Sequence, residues 1–85
     1  MSELNVYPNP TRGKTKITFS SDRETKMHLK VVDIIGKTIH SEDIDVITGY
    51  NEKEIDLENL SQGVYLIQLN SSGVETKSLR IVVEK

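Results

Sequence analysis

The chain has 85 residues, no cysteine, 35% hydrophobic and 28% charged residues, and a formal net charge of −2. A domain usually occupies roughly 100 to 150 residues, so one folded unit is the most this length can hold. The missing cysteine excludes disulfides, thiolate nucleophiles and Cys-based zinc sites, and the near-balance of 11 Lys and Arg against 13 Asp and Glu argues against a nucleic-acid footprint, so no nucleic-acid partner is expected.

No apolar run reaches the roughly 20 residues of a membrane helix, so no direct membrane span is expected. The start, Met1-Ser2-Glu3-Leu4, lacks the charged and apolar blocks of a signal peptide. Residues 1–3 read as a linker or expression remnant before a domain of residues 4–85. Export would then depend on a longer precursor.

Apolar residues recur at spacing two through most of the chain, which predicts strands throughout. The first run, Leu4 to Tyr7, is stopped by Pro8-Asn9-Pro10, because each proline removes a ladder donor and holds the residue before it extended. Gly13 closes this turn. Thr15 to Phe19 sets Ile17 and Phe19 on one face and Lys16 and Thr18 on the other, before a polar loop from Ser20 to Lys26.

Met27–Asp33 and Lys37–Asp43 read as a hairpin around Asp33-Ile34-Ile35-Gly36, with Gly36 able to take positive φ. Pairing Asp33 with Lys37 sets Val31 against Ile39 and Leu29 against Ser41 inside. The same register sends His28, Lys30, Val32, Thr38, His40 and Glu42 outward. The alternation changes phase after Asp43, at Ile44, Val46 and Ile47, where a bulge, a strand end or a crossing between sheets is expected.

Gly49-Tyr50-Asn51 reads as a turn before a run with Ile55 and Leu57 inward and Glu54 and Asp56 outward. Leu60 is expected to plug the end of the core. After Ser61-Gln62-Gly63, the run Val64 to Leu69 is apolar on both faces and so reads as a central, well-covered strand with Tyr65 buried. Asn70 to Gly73 makes the last turn. The closing strand, from about Glu75 to Val83, puts Leu79, Ile81 and Val83 on one side and Ser78, Arg80 and Val82 on the other.

Seven strands at this spacing predict an all-β, antiparallel, seven-stranded immunoglobulin-like β-sandwich. Lys16, Lys30, Lys53 and Lys77, on outward positions, are expected to guard its edges.

The only groups that titrate near neutrality are His28 and His40, and no nucleophile, base and pocket are legible, so no catalytic residue and no cofactor is assigned. In the hairpin register above, His28, His40 and Glu42 meet on an open face. A metal there would need surrounding hydrogen-bonded support, so a solvated face of polar pairs is the simpler reading and no metal site is assigned. Glu52, Glu54, Asp56 and Glu58 read as a solvated stripe, because no tight loop carries calcium-ligand spacing. Tyr7 and Tyr50 are the only aromatics free for sugar stacking. The stiff Pro8-Asn9-Pro10 corner is either structural or a presented recognition element.

Three segments in order, Val6-Tyr7-Pro8-Asn9-Pro10 with Gly13, Asp33-Ile34-Ile35-Gly36-Lys37, and Leu60 to Leu69, followed by the ending Ile81-Val82-Val83-Glu84-Lys85, resemble the C-terminal sorting domain of cargo exported by the type IX secretion system. The resemblance spans nearly the whole chain. It implies a non-enzymatic secretion signal, covalently linked to an N-terminal cargo domain and carried through the periplasm of a Gram-negative bacterium. Its implied partners are the outer-membrane translocon and a sortase-like peptidase that commonly removes the signal, leaving the cargo at the cell surface or in the medium.

On the same resemblance, Pro8, Asn9, Pro10 and Gly13 match the family's first motif, and Lys77, Leu79, Arg80, Ile81, Val82, Val83 and Lys85 fall in its terminal segment. These are the expected recognition residues. Gly36, Gly63, Tyr65 and Leu69 match positions expected to preserve turns and core. The terminal strand is expected to be read by strand addition or by surface complementarity. The rival reading is an immunoglobulin-like accessory module that binds polysaccharide or spaces a secreted hydrolase, and a third is a minimal metalloenzyme built on His28, His40 and Glu42.

Overall fold

The computed structural model describes residues 4–71 and 76–85. Among them run seven strands: β1 (Asn5–Tyr7), β2 (Lys14–Ser21), β3 (Thr25–Asp33), β4 (Thr38–Val46), β5 (Gly49–Asp56), β6 (Gly63–Asn70) and β7 (Lys77–Val83). Sheet A has the order β1-β2-β5 and sheet B the order β4-β3-β6-β7, with antiparallel neighbours throughout. The two sheets form an immunoglobulin-like sandwich. The expected last turn lies partly outside the described residues, as does Glu75, and so do residues 1–3.

Alternation drives the packing. Ile17 and Phe19 of β2, Leu29 and Val31 of β3, Ile67 and Leu69 of β6, and Ile81 and Val83 of β7 are buried between the sheets, each such side chain contributing about 1.5–3 kcal/mol of transfer free energy. Leu60 packs against this core from the β5–β6 loop. Tyr65 is buried at the start of β6, and its hydroxyl donates to the Ser61 carbonyl at 2.7 Å. That bond is the tyrosine corner found where a chain turns between the sheets of such sandwiches.

The β3–β4 hairpin departs from the expected register. Its tip is as anticipated: the Gly36 N–H donates to the Asp33 carbonyl at 3.0 Å, Gly36 has φ 90°, and the Asp33 N–H reaches the Lys37 carbonyl at 3.0 Å. Beyond it Val32 faces Thr38 but Val31 faces His40, so a bulge at Ile39 offsets the rest of β4 by one residue. Leu29 therefore faces Glu42, not Ser41, and His28 faces Asp43, not Glu42. The phase change lies at Ile39 and not after Asp43. Burial explains the offset: it carries Ile44 and Val46 into the core at the expense of Ile39, which stays exposed.

Three smaller expectations also change. Tyr50 and Asn51 belong to β5, and the preceding turn is closed by the Asn51 side chain, whose Oδ1 accepts from Ile47 N–H at 3.0 Å and whose amide donates to the Ile47 and Gly49 carbonyls. β6 is an inner strand of its sheet, yet Val64 and Leu66 on its outer face remain exposed, whereas Val32, which faces Leu66 from β3 and was expected outward, is buried. Lys53 does not point outward. It shares the inner phase of β5 with Asn51 and Ile55, and Lys77 sits opposite Leu69 in the inner phase of β7.

Candidate functional site

The chain's two end segments meet. Pro8 and Pro10 have no N–H, so the backbone between β1 and β2 cannot run as an ordinary partner along an edge strand. The Asn9 side chain replaces it. A carboxamide carries one acceptor and an N–H donor, the equipment of a peptide group: Asn9 Nδ2 donates to the Arg80 carbonyl at 2.9 Å, and the Val82 N–H donates to Asn9 Oδ1 at 3.0 Å. Thr11 continues the pattern with its backbone, donating to the Val82 carbonyl at 2.9 Å and accepting from the Glu84 N–H at 2.8 Å. A short parallel bridge, Thr11 to Val83, results.

The outer edge of β7 is thereby capped from Arg80 to Glu84. Both peptide bonds before the prolines, Tyr7–Pro8 and Asn9–Pro10, are cis. The corner is tied down further by Thr15 Oγ1 donating to the Pro8 carbonyl at 2.9 Å and Thr11 Oγ1 donating to the Lys14 carbonyl at 2.7 Å. Gly13 lies close against Glu58, whose exposed side chain would have to move aside for a Cβ 2.5 Å from its Cγ, and the Gly13 carbonyl accepts from Leu57 N–H at 2.7 Å. Lys85 is held as well: its N–H donates to Gln62 Oε1 at 3.2 Å and its ammonium to the Glu58 carbonyl at 2.8 Å.

Residues 5–84 match the family model described as secretion system C-terminal sorting domain. The chain belongs to that family. It is a type IX secretion sorting domain, a signal class and not a catalyst class, which rides as the C-terminal tail of a cargo precursor, associates with the type IX machinery, and marks its cargo for the cell surface or the extracellular space. A comparison with curated proteins returned no match.

The sorting domain places the expected recognition residues unequally. Pro8, Asn9 and Pro10 are exposed on the cap, and Lys77, Arg80 and Lys85 are exposed along β7 and its end. Val82 is half-buried and Leu79 packs partly against the core. Ile81 and Val83 are fully buried, and Gly13 is buried between exposed Arg12 and Lys14, so on the folded domain these three act through packing. Gly36 sits at a turn, Gly63 opens β6 opposite Val83, Tyr65 is at its corner and Leu69 in the core. Thr11 escaped the sequence reading, as did the bonds by which Gln62 and Glu58 hold Lys85. A threonine directly after Pro-Asn-Pro was the available signal for the first, because it supplies the first backbone N–H beyond the prolines.

The expected trio of His28, His40 and Glu42 is not assembled. His28 faces outward with Nδ1 2.8 Å from Asp43 Oδ1, whereas the bulge turns His40 and Glu42 to the inner phase of β4. There His40 Nε2 lies 2.6 Å from Glu42 Oε2, and the Lys53 ammonium of sheet A reaches Glu42 Oε1 at 2.9 Å. The Lys53 hydrogen bond, with that of His40 second, holds the Glu42 carboxyl below its ordinary value of 4.5. Among the described residues no group of three or more His, Asp or Glu is arranged to hold a metal.

The outer face of sheet A carries Glu52, Glu54 and Asp56 opposite Thr18, Lys16 and Lys14. The tyrosines of its two edge strands converge there: Tyr7 Oη donates to Glu52 Oε1 at 3.3 Å and Tyr50 Oη approaches the same oxygen at 3.5 Å, with Lys16 Nζ 3.8 Å away. Their hydroxyls are engaged with the sheet.

Proposed function

We propose that the outer-membrane type IX translocon reads this sorting domain as a folded object, on the composite surface where the Pro8-Asn9-Pro10 cap lies along β7. Residues 4–85 form the signal, joined to a cargo domain on their N-terminal side. The precursor crosses the periplasm of a Gram-negative bacterium, a sortase-like peptidase cuts ahead of the domain, and the cargo is delivered to the surface or released. The observation that carries this reading is the pair of Asn9 side-chain bonds to Arg80 and Val82, which joins the family's two end segments into one face. Surface complementarity is favoured over strand addition from Arg80 to Glu84, because the groups an added strand would use are already bonded.

The test is a fusion of a signal peptide, a fluorescent protein and residues 4–85 in a secretion-competent host. The unaltered fusion is expected at the surface or in the medium. Replacing Lys77 and Arg80, which are exposed, by Glu is expected to leave the melting temperature of the purified domain nearly unchanged and to hold the reporter in the periplasm. Undiminished delivery of that folded variant overturns the composite surface as the element that is read.

A further inference from the structure

The most anomalous surface of the domain lies away from the cap on β7. At the β3–β4 tip, Ile34 and Ile35 are 79% and 84% exposed. Nothing local needs them to be apolar, because the turn is held by polar groups: Asp33 Oδ1 accepts from Ile35 N–H at 3.1 Å and from Lys37 N–H at 2.9 Å. The pairing of Asp33 with Tyr65 puts this tip beside the Val64 end of β6. Val64 and Leu66 are exposed on the same outer face of sheet B, continuing the apolar surface inward from the tip.

Charge is arranged around it. At the far end of sheet B the outward charges are paired, Lys26 with Asp45 at 3.8 Å and His28 with Asp43 at 2.8 Å. At the apolar end Lys30, Lys37 and Arg80 have no ion-pair partner among the described residues, while Asp33 is occupied by backbone N–H groups and Glu84 is the opposing carboxylate beyond Val82. Glu52, Glu54 and Asp56 lie on the outer face of the other sheet. Lys14 and Lys16 share that face with them, so a negative surface attracts the end of sheet B near the tip, where the cations are left without an ion pair.

We infer that the Ile34-Ile35 tip is a wedge that seats the domain on an anionic lipid bilayer, with Lys30 and Lys37 at headgroup level. The occupant follows from shape and charge together. Two adjacent isoleucines on a convex tip enter a fluid headgroup layer without a matching cavity, and the surrounding cations meet phosphate there. Such docking confines the precursor to two dimensions beside a membrane and is separable from recognition along β7.

The chain has no tryptophan, so Ile35→Trp gives a single indole at the tip. With vesicles of phosphatidylcholine containing phosphatidylglycerol, the indole emission is expected to shift to the blue, and the unaltered domain is expected to co-float with them. Binding should weaken in high salt and on phosphatidylcholine alone. Ile34→Ser with Ile35→Ser, and separately Lys30→Glu with Lys37→Glu, should each reduce partitioning about tenfold or more, with circular dichroism unchanged. An unshifted indole, or equal partitioning of the double serine variant, overturns the inference. So does a concentration-dependent dimer that the serine pair abolishes while vesicles leave the domain untouched, which would assign the patch to a second copy of the chain.

Discussion

Tyr65 and Asn9 each do with one side chain what the backbone cannot do at their positions. Tyr65→Phe keeps the buried ring but leaves the Ser61 carbonyl without its donor. A loss of about 1–2 kcal/mol is expected, read as a melting temperature lower by about 4–8 °C per kcal/mol in a domain of this size. Asn9→Ala removes two bonds to β7 at once and is expected to cost about 1–3 kcal/mol. Amide exchange would show whether the Val82 N–H loses its protection; retained protection would mean that the carboxamide is not its acceptor. That Tyr65 is buried was legible from the alternation of its strand. That its hydroxyl closes a corner was not, since the partner is a carbonyl without side-chain identity. Asn9 stood out as the residue between two prolines, but its partners, 71 positions away for the Arg80 carbonyl, have no trace in local spacing.

Among the elements, β4 taught most. Its Ile39, Ile44 and Val46 cannot all face inward on one uninterrupted strand, and sequence order alone does not say which of them yields. The bulge gives up Ile39 and buries the other two. Inward-turned Glu42 and His40 then meet Lys53 across the open side of the sandwich. Charges set inside an edge discourage pairing with another sheet, a role expected of Lys53 but reached from the opposite face. The depressed Glu42 carboxyl gives this contact a sign with pH. Because its folded value lies below its unfolded one, the contribution is complete above the ordinary 4.5 and is lost as pH falls through the folded value. Glu42→Gln should therefore flatten the acid limb of stability measured by urea unfolding below about pH 4.5, while the unaltered domain loses stability there. Parallel acid limbs would show that Lys53 and His40 do not act through this carboxylate.

The whole molecule is tied at its ends. β7 supplies Ile81 and Val83 to the core, and the Asn9–Thr11 segment closes its edge, so removing Leu79–Lys85 takes away core and cap partner together. Such a truncated domain is expected to be unfolded by circular dichroism at 25 °C, since loss of several buried side chains at about 2–5 kcal/mol each exceeds the usual 5–15 kcal/mol margin. A cooperatively melting truncated form would mean that the terminal strand is dispensable to the fold. The sequence by itself determined the all-β class, the seven strands and most inward faces, because side-chain alternation and turn chemistry are local properties of the chain. It also carried the motifs that place the domain in its family. Only the tertiary structure decided the bulge at Ile39, the inner placement of Glu42 and Lys53, the exposure of Val64 and Leu66 on β6 and the capping of β7 by Asn9. Each of these is settled by competition for one shared core, or by a hydrogen-bonding group far along the chain, and neither leaves a period in the sequence.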